Sequence, residues 1–257
     1  MRERRGQAFS TACLKTEPIM STLPIEDVLP ALRRALVEGR NAVLTAAPGA
    51  GKTTRVPLAL LDAPWLGGEK LLILEPRRLA TQAAARRMAS ALGESVGETV
   101  GYRMRLDTKV SPKTRIEVVT EGILSRLLQH DPALSEYAIV LFDEFHERSL
   151  QADTGLALCL ETQRIFRLEL RLLVMSATLD CEPIADLLGH APVIACQGRM
   201  FPVEIRYLEQ PLSGHLDVAV VQSIRRSLAQ DPGSLLVFLP GMAEIRRVER
   251  TLLDLSL

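Results

Sequence analysis

The chain is short of several things that would give it an obvious bulk character. Aromatic residues make up only 4% of its 257 positions, so recognition of nucleic acid by rows of bases stacked on aromatic side chains is not expected. An excess of one charge is missing too, with Lys+Arg and Asp+Glu at 31 each. Without a global positive field, any hold on a polyanion must come from local placement of Arg and Lys. Cysteine is scarce: Cys13, Cys159, Cys181 and Cys196 show no CxxC pairing and no histidine at zinc-ligand spacing. That pattern argues against a disulfide framework or a zinc site and for reduced thiols in the cytoplasm. No apolar run approaches the roughly 20 residues needed to cross a bilayer, so no membrane contact is expected. The opening MRERRGQAFSTACLKTEP lacks the apolar stretch of a secretory signal, and Glu3 and Glu17 argue against a transit peptide. Residues 1–19 read as a disordered extension, with the folded chain starting near Met20.

Apolar residues, in contrast, reach 47%, enough for a substantial core. They fall into short bare runs: Asn41–Ala46, Leu71–Leu74, Ala138–Phe142 and Leu172–Met175, with Arg115–Val119 alternating like a strand. Helical segments are expected from Lys52, over Arg78–Leu92, Ile123–Gln129, Gln151–Arg164 and Glu182–Leu188. Wholly apolar strands alternating with helices imply a parallel sheet covered on both faces, an α/β doubly wound domain. Ligands of such sheets bind beyond the carboxyl ends of the strands. This domain is assigned to residues 20–197 and an extended, Pro-containing connection to 198–208. Residues 209–257 read as the unfinished start of a second α/β lobe: helices at Asp217–Ala229 and Met242–Leu253, and a strand at Leu235–Phe238. Such an unfinished lobe is expected to expose sheet edge and apolar surface.

Two constellations carry chemistry. Ala46-Ala47-Pro48-Gly49-Ala50-Gly51-Lys52-Thr53 fits G-x-x-x-x-G-K-[ST] apart from Ala46 in the first Gly position, and Thr54 continues the helix behind it. Backbone N–H groups in such a loop converge on phosphate oxygens. Lys52 suits the β- and γ-phosphates of ATP, and the Thr53 hydroxyl suits Mg²⁺. The second constellation is a buried strand ending in Asp143-Glu144. Asp143 can hold Mg²⁺, and Glu144 can join it or deprotonate the attacking water. A carboxylate aimed at water favours an ATPase over a kinase. The solitary histidines His130, His190 and His215 are expected at the surface or at helix ends.

Asp143-Glu144-Phe145-His146-Glu147-Arg148 resembles the DEAH box of superfamily 2 helicases, with Phe145 where Ala is usual. Further motifs follow in the family's order. Glu75-Pro76-Arg77-Arg78 and Thr120-Glu121-Gly122 resemble its strand-contact motifs, and Ser176-Ala177-Thr178 its coupling motif. The linker Gly198-Arg199 with Phe201–Ile205, and Leu236–Ile245, resemble the segments that open the second lobe. The DEFHER variant and Leu23-Pro24-Ile25 are most similar to the bacterial HrpB-type helicases, and the likeness runs from about residue 20 to 257.

The resemblance implies a RecA-like P-loop NTPase lobe followed by the start of a second RecA-like lobe. It implies ATP and Mg²⁺ as cofactors, and single-stranded or partly duplex RNA as partner, with DNA not distinguished. Under it, His146 links the nucleotide site to the nucleic-acid face, and Ser176, Ala177 and Thr178 couple hydrolysis to motion. Arg77, Arg78, Thr120 and Gly122 would contact one strand's backbone, which positions a strand without reading its sequence. Arg87 would stack on adenine. The family's second lobe also supplies arginines to the transferring phosphoryl group, and nothing in residues 209–257 resembles those motifs. An arginine finger contributes roughly 10³–10⁵ in rate, so this chain is expected to bind ATP–Mg²⁺ but turn it over slowly. Two other readings remain at this point: a P-loop NTPase that does not act on nucleic acid, and a nucleotide-binding module without turnover.

Overall fold

The computed structural model describes residues 23–178, 181–198, 202–207 and 216–255. These fall into two compact units divided between residues 200 and 201. The expected disordered extension, Arg199, Phe201 and His215 lie outside the described residues.

The first unit is an eight-stranded sheet. Its strands are β1 (Asn41–Ala46), β2 (Lys70–Leu74), β3 (Val100–Met104), β4 (Asp107–Lys109), β5 (Ile116–Val119), β6 (Tyr137–Phe142), β7 (Arg171–Ser176) and β8 (Val193–Cys196). Their spatial order is β4-β3-β5-β2-β6-β7-β1-β8, and every pairing is parallel except the β3–β4 hairpin. The helices are α1 (Leu29–Glu38), α2 (Lys52–Leu60), α3 (Arg78–Ala91), α4 (Glu121–His130), α5 (Leu150–Ile165) and α6 (Glu182–Leu187).

Alternate residues of each central strand enter opposite cores, as the pleat requires. Leu44, Ile73, Val118, Leu141 and Met175 pack with Leu32, Val56, Leu60, Ala85 and Met88 of α1, α2 and α3. Val43, Leu72, Val119, Val140 and Val174 pack with Leu124, Leu156 and Ala185 of α4, α5 and α6. This double coverage explains why β6 and most of β7 read as unbroken apolar runs, and why β1 is buried throughout. Cys159 lies within the second core, where burial pushes its thiol up to about 12. Among the described residues no helix is long and apolar enough to cross a membrane.

The expected strands and helices of this unit form within one or two residues of their expected bounds. β3, β4, β8 and α1 were not anticipated. One carboxylate is buried within the sheet. Glu117 of β5 is fully buried. Its carboxylate accepts from Arg103 Nε at 2.8 Å, Lys70 Nζ at 3.1 Å and the Tyr137 hydroxyl at 3.0 Å. Burial alone would raise the Glu117 pKa, but Arg103 and then Lys70 overcome it, and the group sits below its ordinary value.

In the second unit, α7 (Leu216–Gln230) and α8 (Met242–Asp254) share a small core of Val221, Ile224 and Val248. The strand expected at Leu235–Phe238 does not form; the segment is irregular, with Leu236 77% and Phe238 87% exposed. Strand conformation is held by hydrogen bonds to a neighbouring strand, and no strand occurs among the described residues of this unit. Apolar surface is therefore exposed as anticipated, without a sheet edge.

Removing the Glu117 carboxylate should strand two cations and a phenol. Glu117→Ala is expected to cost about 3–5 kcal/mol, towards the low end because Lys70 and Arg103 reach solvent. Because the folded pKa is depressed, the carboxylate's contribution is complete above its unfolded value and fades as pH falls through the folded one. Urea denaturation at pH 7 and pH 4 should show the wild-type advantage over Glu117→Gln shrinking at the lower pH.

Candidate nucleotide site

All the strands that precede the sequence motifs run the same way, so their carboxyl ends share one rim. β1 delivers the loop from Ala47 to Gly51, and α2 begins at Lys52. The loop needs its glycines. Gly49 has φ +79° and Gly51 φ +99°, in the left-handed region that L side chains rarely adopt. A Cβ on Gly51 would also lie 2.7 Å from Leu23 Cδ1, because the turn at Pro24–Val28 packs over the loop and the Ile25 N–H donates to the Ala50 carbonyl. Gly51 gives α2 no capping side chain. The first-turn N–H groups of a helix lack intrahelical acceptors and suit an anion. Pro48 and Gly49 are exposed, Ala50 and Lys52 buried, and Gly51, Thr53 and Thr54 half-buried.

β6 delivers the acidic pair from two strands away, with β7 between. Asp143 is fixed by its N–H to the Leu74 carbonyl and by a 2.8 Å hydrogen bond from the Glu144 N–H to its Oδ1. Its Oδ2 is sealed from solvent without a hydrogen-bond partner. Burial raises the Asp143 pKa, the neighbouring Glu144 adds to the rise, and the Thr53 side chain and Lys52 oppose it. Lys52 Nζ lies 3.0 Å from Glu144 Oε1. Loop lysine, metal-suited threonine and acidic pair therefore meet at one place.

His146, in the short 3-10 turn Phe145–Glu147, reaches β7. Its Nδ1 accepts the Ala177 N–H at 3.2 Å and lies 3.4 Å from Glu144 Oε2. The lone pair that takes the Ala177 hydrogen cannot also hold a proton, so the neutral ring carries its hydrogen on Nε2. The Ser176 hydroxyl in turn accepts the Thr178 N–H at 3.1 Å. The sequence-identified groups on β6 and β7 are thus in direct contact.

The proposed strand-contact residues follow β2 and β5, which are neighbours. Arg77, Arg78 and Gly122 are exposed and Thr120 is half-buried. Arg78 donates to the Arg105 carbonyl at 3.4 Å, and Arg77 pairs with Glu147. Arg87 is not drawn into this cluster: it lies exposed on α3, which packs beside α2.

Glu75 lies within the quoted motif but had been given no role. It is 3% exposed, and its carboxyl is pushed up to about 8 by burial and then by the charges of Asp143 and Glu144. A carboxyl closing an apolar strand was the available signal; its proximity to Asp143 was not visible in the sequence.

Residues 27–187 match the DEAD/DEAH box helicase family. The chain belongs to that family. It is 52% identical over 233 residues to the ATP-dependent RNA helicase HrpB of Escherichia coli strain K12, covering 91% of this chain and 29% of that protein. It also resembles two solved structures of Escherichia coli HrpB, each at 50% identity. One, described as a DEAH/RHA helicase, gives a TM-score of 0.83 over 91% of this chain and 30% of that one. The other, described as a DExH-box NTPase, gives 0.72 over 93% and 29%. The chain thus spans about 30% of the length of the relatives it matches.

The Glu75 environment has a measurable signature. Its folded pKa exceeds the unfolded one, so the folded state holds a proton the unfolded state releases, and stability falls as pH rises from about 4.5 towards 8. Glu75→Gln removes that proton linkage. In magnesium-free buffer its melting temperature relative to wild type should be higher at pH 9 than at pH 5; an equal difference at both would rule out a strained carboxyl.

Proposed function

We propose that this chain is the ATP-binding lobe of an ATP-dependent DEAH-type RNA helicase, in which hydrolysis drives strand movement or unwinding. The observation that carries this reading is the 3.0 Å approach of the loop lysine to the acidic pair. Family membership and the likeness to HrpB support it.

The donor set suits Mg²⁺ and a triphosphate. Mg²⁺ takes one or two protein oxygens and completes its shell with phosphate and water. The partnerless Asp143 Oδ2 beside Thr53 offers such an oxygen, and Glu144 follows it directly in the chain. Residues 48–54 would cradle the phosphates, and Lys52 would leave Glu144 to neutralise the β- and γ-oxygens. Bound Mg²⁺–ATP would supply a phosphoanhydride with its charge already partly neutralised. Glu144, released from Lys52, would accept the proton of a water molecule. His146 would report that change to Ala177 through its shared Nδ1. Arg77, Arg78, Thr120 and Gly122 would hold the RNA backbone, and Arg87 would stack on the base.

Lys52→Ala should weaken binding of a fluorescent ATP analogue in the presence of Mg²⁺ by roughly 10- to 100-fold, the worth of a charge-assisted contact. Glu144→Gln should keep the affinity and lose residual turnover. Phosphate release measured with and without single-stranded RNA then separates the readings. Stimulation supports the helicase, unstimulated turnover a P-loop NTPase of another class, and binding without turnover a purely nucleotide-binding module. Equal turnover by wild type and Glu144→Gln would remove Glu144 from its role.

A further inference from the structure

Arg77 is not free to meet a phosphate. Its guanidinium forms a direct ion pair with Glu147, which belongs to the turn carrying His146. The pair joins two rim segments 70 residues apart in sequence. Arg77 is 69% exposed and Glu147 32%, so a nucleic-acid phosphate can reach the arginine from solvent.

The backbone on both sides of the turn that presents Glu147 is strained. Glu144 before it and Arg148 after it both have φ +48°, an uncommon conformation for non-glycine residues. Beside it is a partly open pocket of about 230 Å³, bordered by Pro76, Arg77, Glu121, Phe145, Glu147 and Ser149. Other contacts hold the ends of the turn. Arg148 makes a two-pronged pair with Asp153 at 2.9 and 3.0 Å, and Ser149 caps α5 while donating to Glu121 at 2.7 Å. Glu147 is the member of the turn tied across to the strand-contact side.

We propose that Glu147 is a positioning residue that acts through Arg77: it competes with nucleic-acid phosphate for the guanidinium. A phosphate that captures Arg77 releases Glu147 from the β2 side of the rim. The idea rests on the reading of Arg77 as a strand contact and adds the residue that restrains it. An exposed ion pair is a weak restraint, so its removal should be felt as a modest gain in affinity.

The test is a double-mutant cycle on this 257-residue chain, read by fluorescence anisotropy with a labelled single-stranded RNA across a salt series. Circular dichroism melts confirm that each variant is folded. Arg77→Ala should weaken binding and flatten the plot of log affinity against log salt by about one. Glu147→Gln should strengthen binding by roughly two- to fivefold. In the Arg77→Ala background, Glu147→Gln should change nothing. If Glu147→Gln strengthens binding equally in both backgrounds, the effect is general charge repulsion and the proposal fails. If it leaves affinity unchanged or lowers it while Arg77→Ala still weakens binding, the proposal fails and the strand-contact reading stands. If Arg77→Ala leaves affinity and salt slope untouched, the strand-contact reading itself fails and takes the proposal with it.

Discussion

A buried ammonium group has to find an anion. Lys52 is 3% exposed, and an unpaired charge at that depth would be strongly unfavourable. Glu144 answers it at 3.0 Å, but only because of how the sheet is built. The lysine arrives after β1 and the glutamate after β6, with β7 between them. Parallel pairing puts both strand ends on one rim. Reversing either β1 or β6 alone would send the two groups to opposite edges. The pairing thus ties the chemistry of the site to the topology of the fold.

The charges immediately around Lys52 do not balance. Glu75, Asp143 and Glu144 act on one another, while the loop brings a single ammonium group. Burial and mutual repulsion answer part of this surplus by pushing the Glu75 and Asp143 carboxyls towards their neutral forms. A divalent cation would answer the rest, and the partnerless Asp143 Oδ2 is where it would be felt most directly. The carboxyl cluster and the cation-suited oxygen are two faces of one electrostatic condition, which is why the reading of the site as a Mg²⁺–nucleotide centre needs no additional ligand.

Much of this was legible in the residues. Strands buried on both faces are bare apolar runs, and Asn41–Ala46 and Ala138–Phe142 announce themselves. Two of the strands that escaped lack that signature: β3 carries Gly101 and Arg103, and β4 is the polar triplet Asp107–Lys109. β8 carries it in the short run Val193–Cys196, yet is a partly exposed edge strand. α1 could have been found from Leu32 and Leu36, one turn apart and both buried. Leu235–Phe238 failed in the opposite direction. Its apolar composition suits a strand, but composition cannot supply hydrogen-bonding neighbours. Glu75 and Glu147 illustrate a further limit. Each sits inside a motif recognisable by its sequence, yet what each does depends on a partner about 70 residues away. Local pattern locates the rim, and only the fold shows which groups on it touch.

The neutral composition takes on a sharper meaning once those contacts are known. With 31 residues of each sign, the chain has no surplus of cations to spend on a polyanion. Arg77, which reaches across to the acidic turn, is already held by a carboxylate. Each phosphate that binds such an arginine must displace an internal partner as well as solvent ions. On the proposed reading, the hold of Arg77 on nucleic acid would be set by competition between carboxylate and phosphate, and it would be modest and salt-sensitive. A competition of that kind has a use that raw affinity lacks. Glu147 belongs to the same turn as His146, which touches both Glu144 and Ala177. Whatever frees or recaptures Glu147 acts on a segment already joined to the nucleotide side, through side chains in direct contact. Under the proposed competition, a more basic rim would grip RNA harder and would lose the link between that grip and the acidic turn.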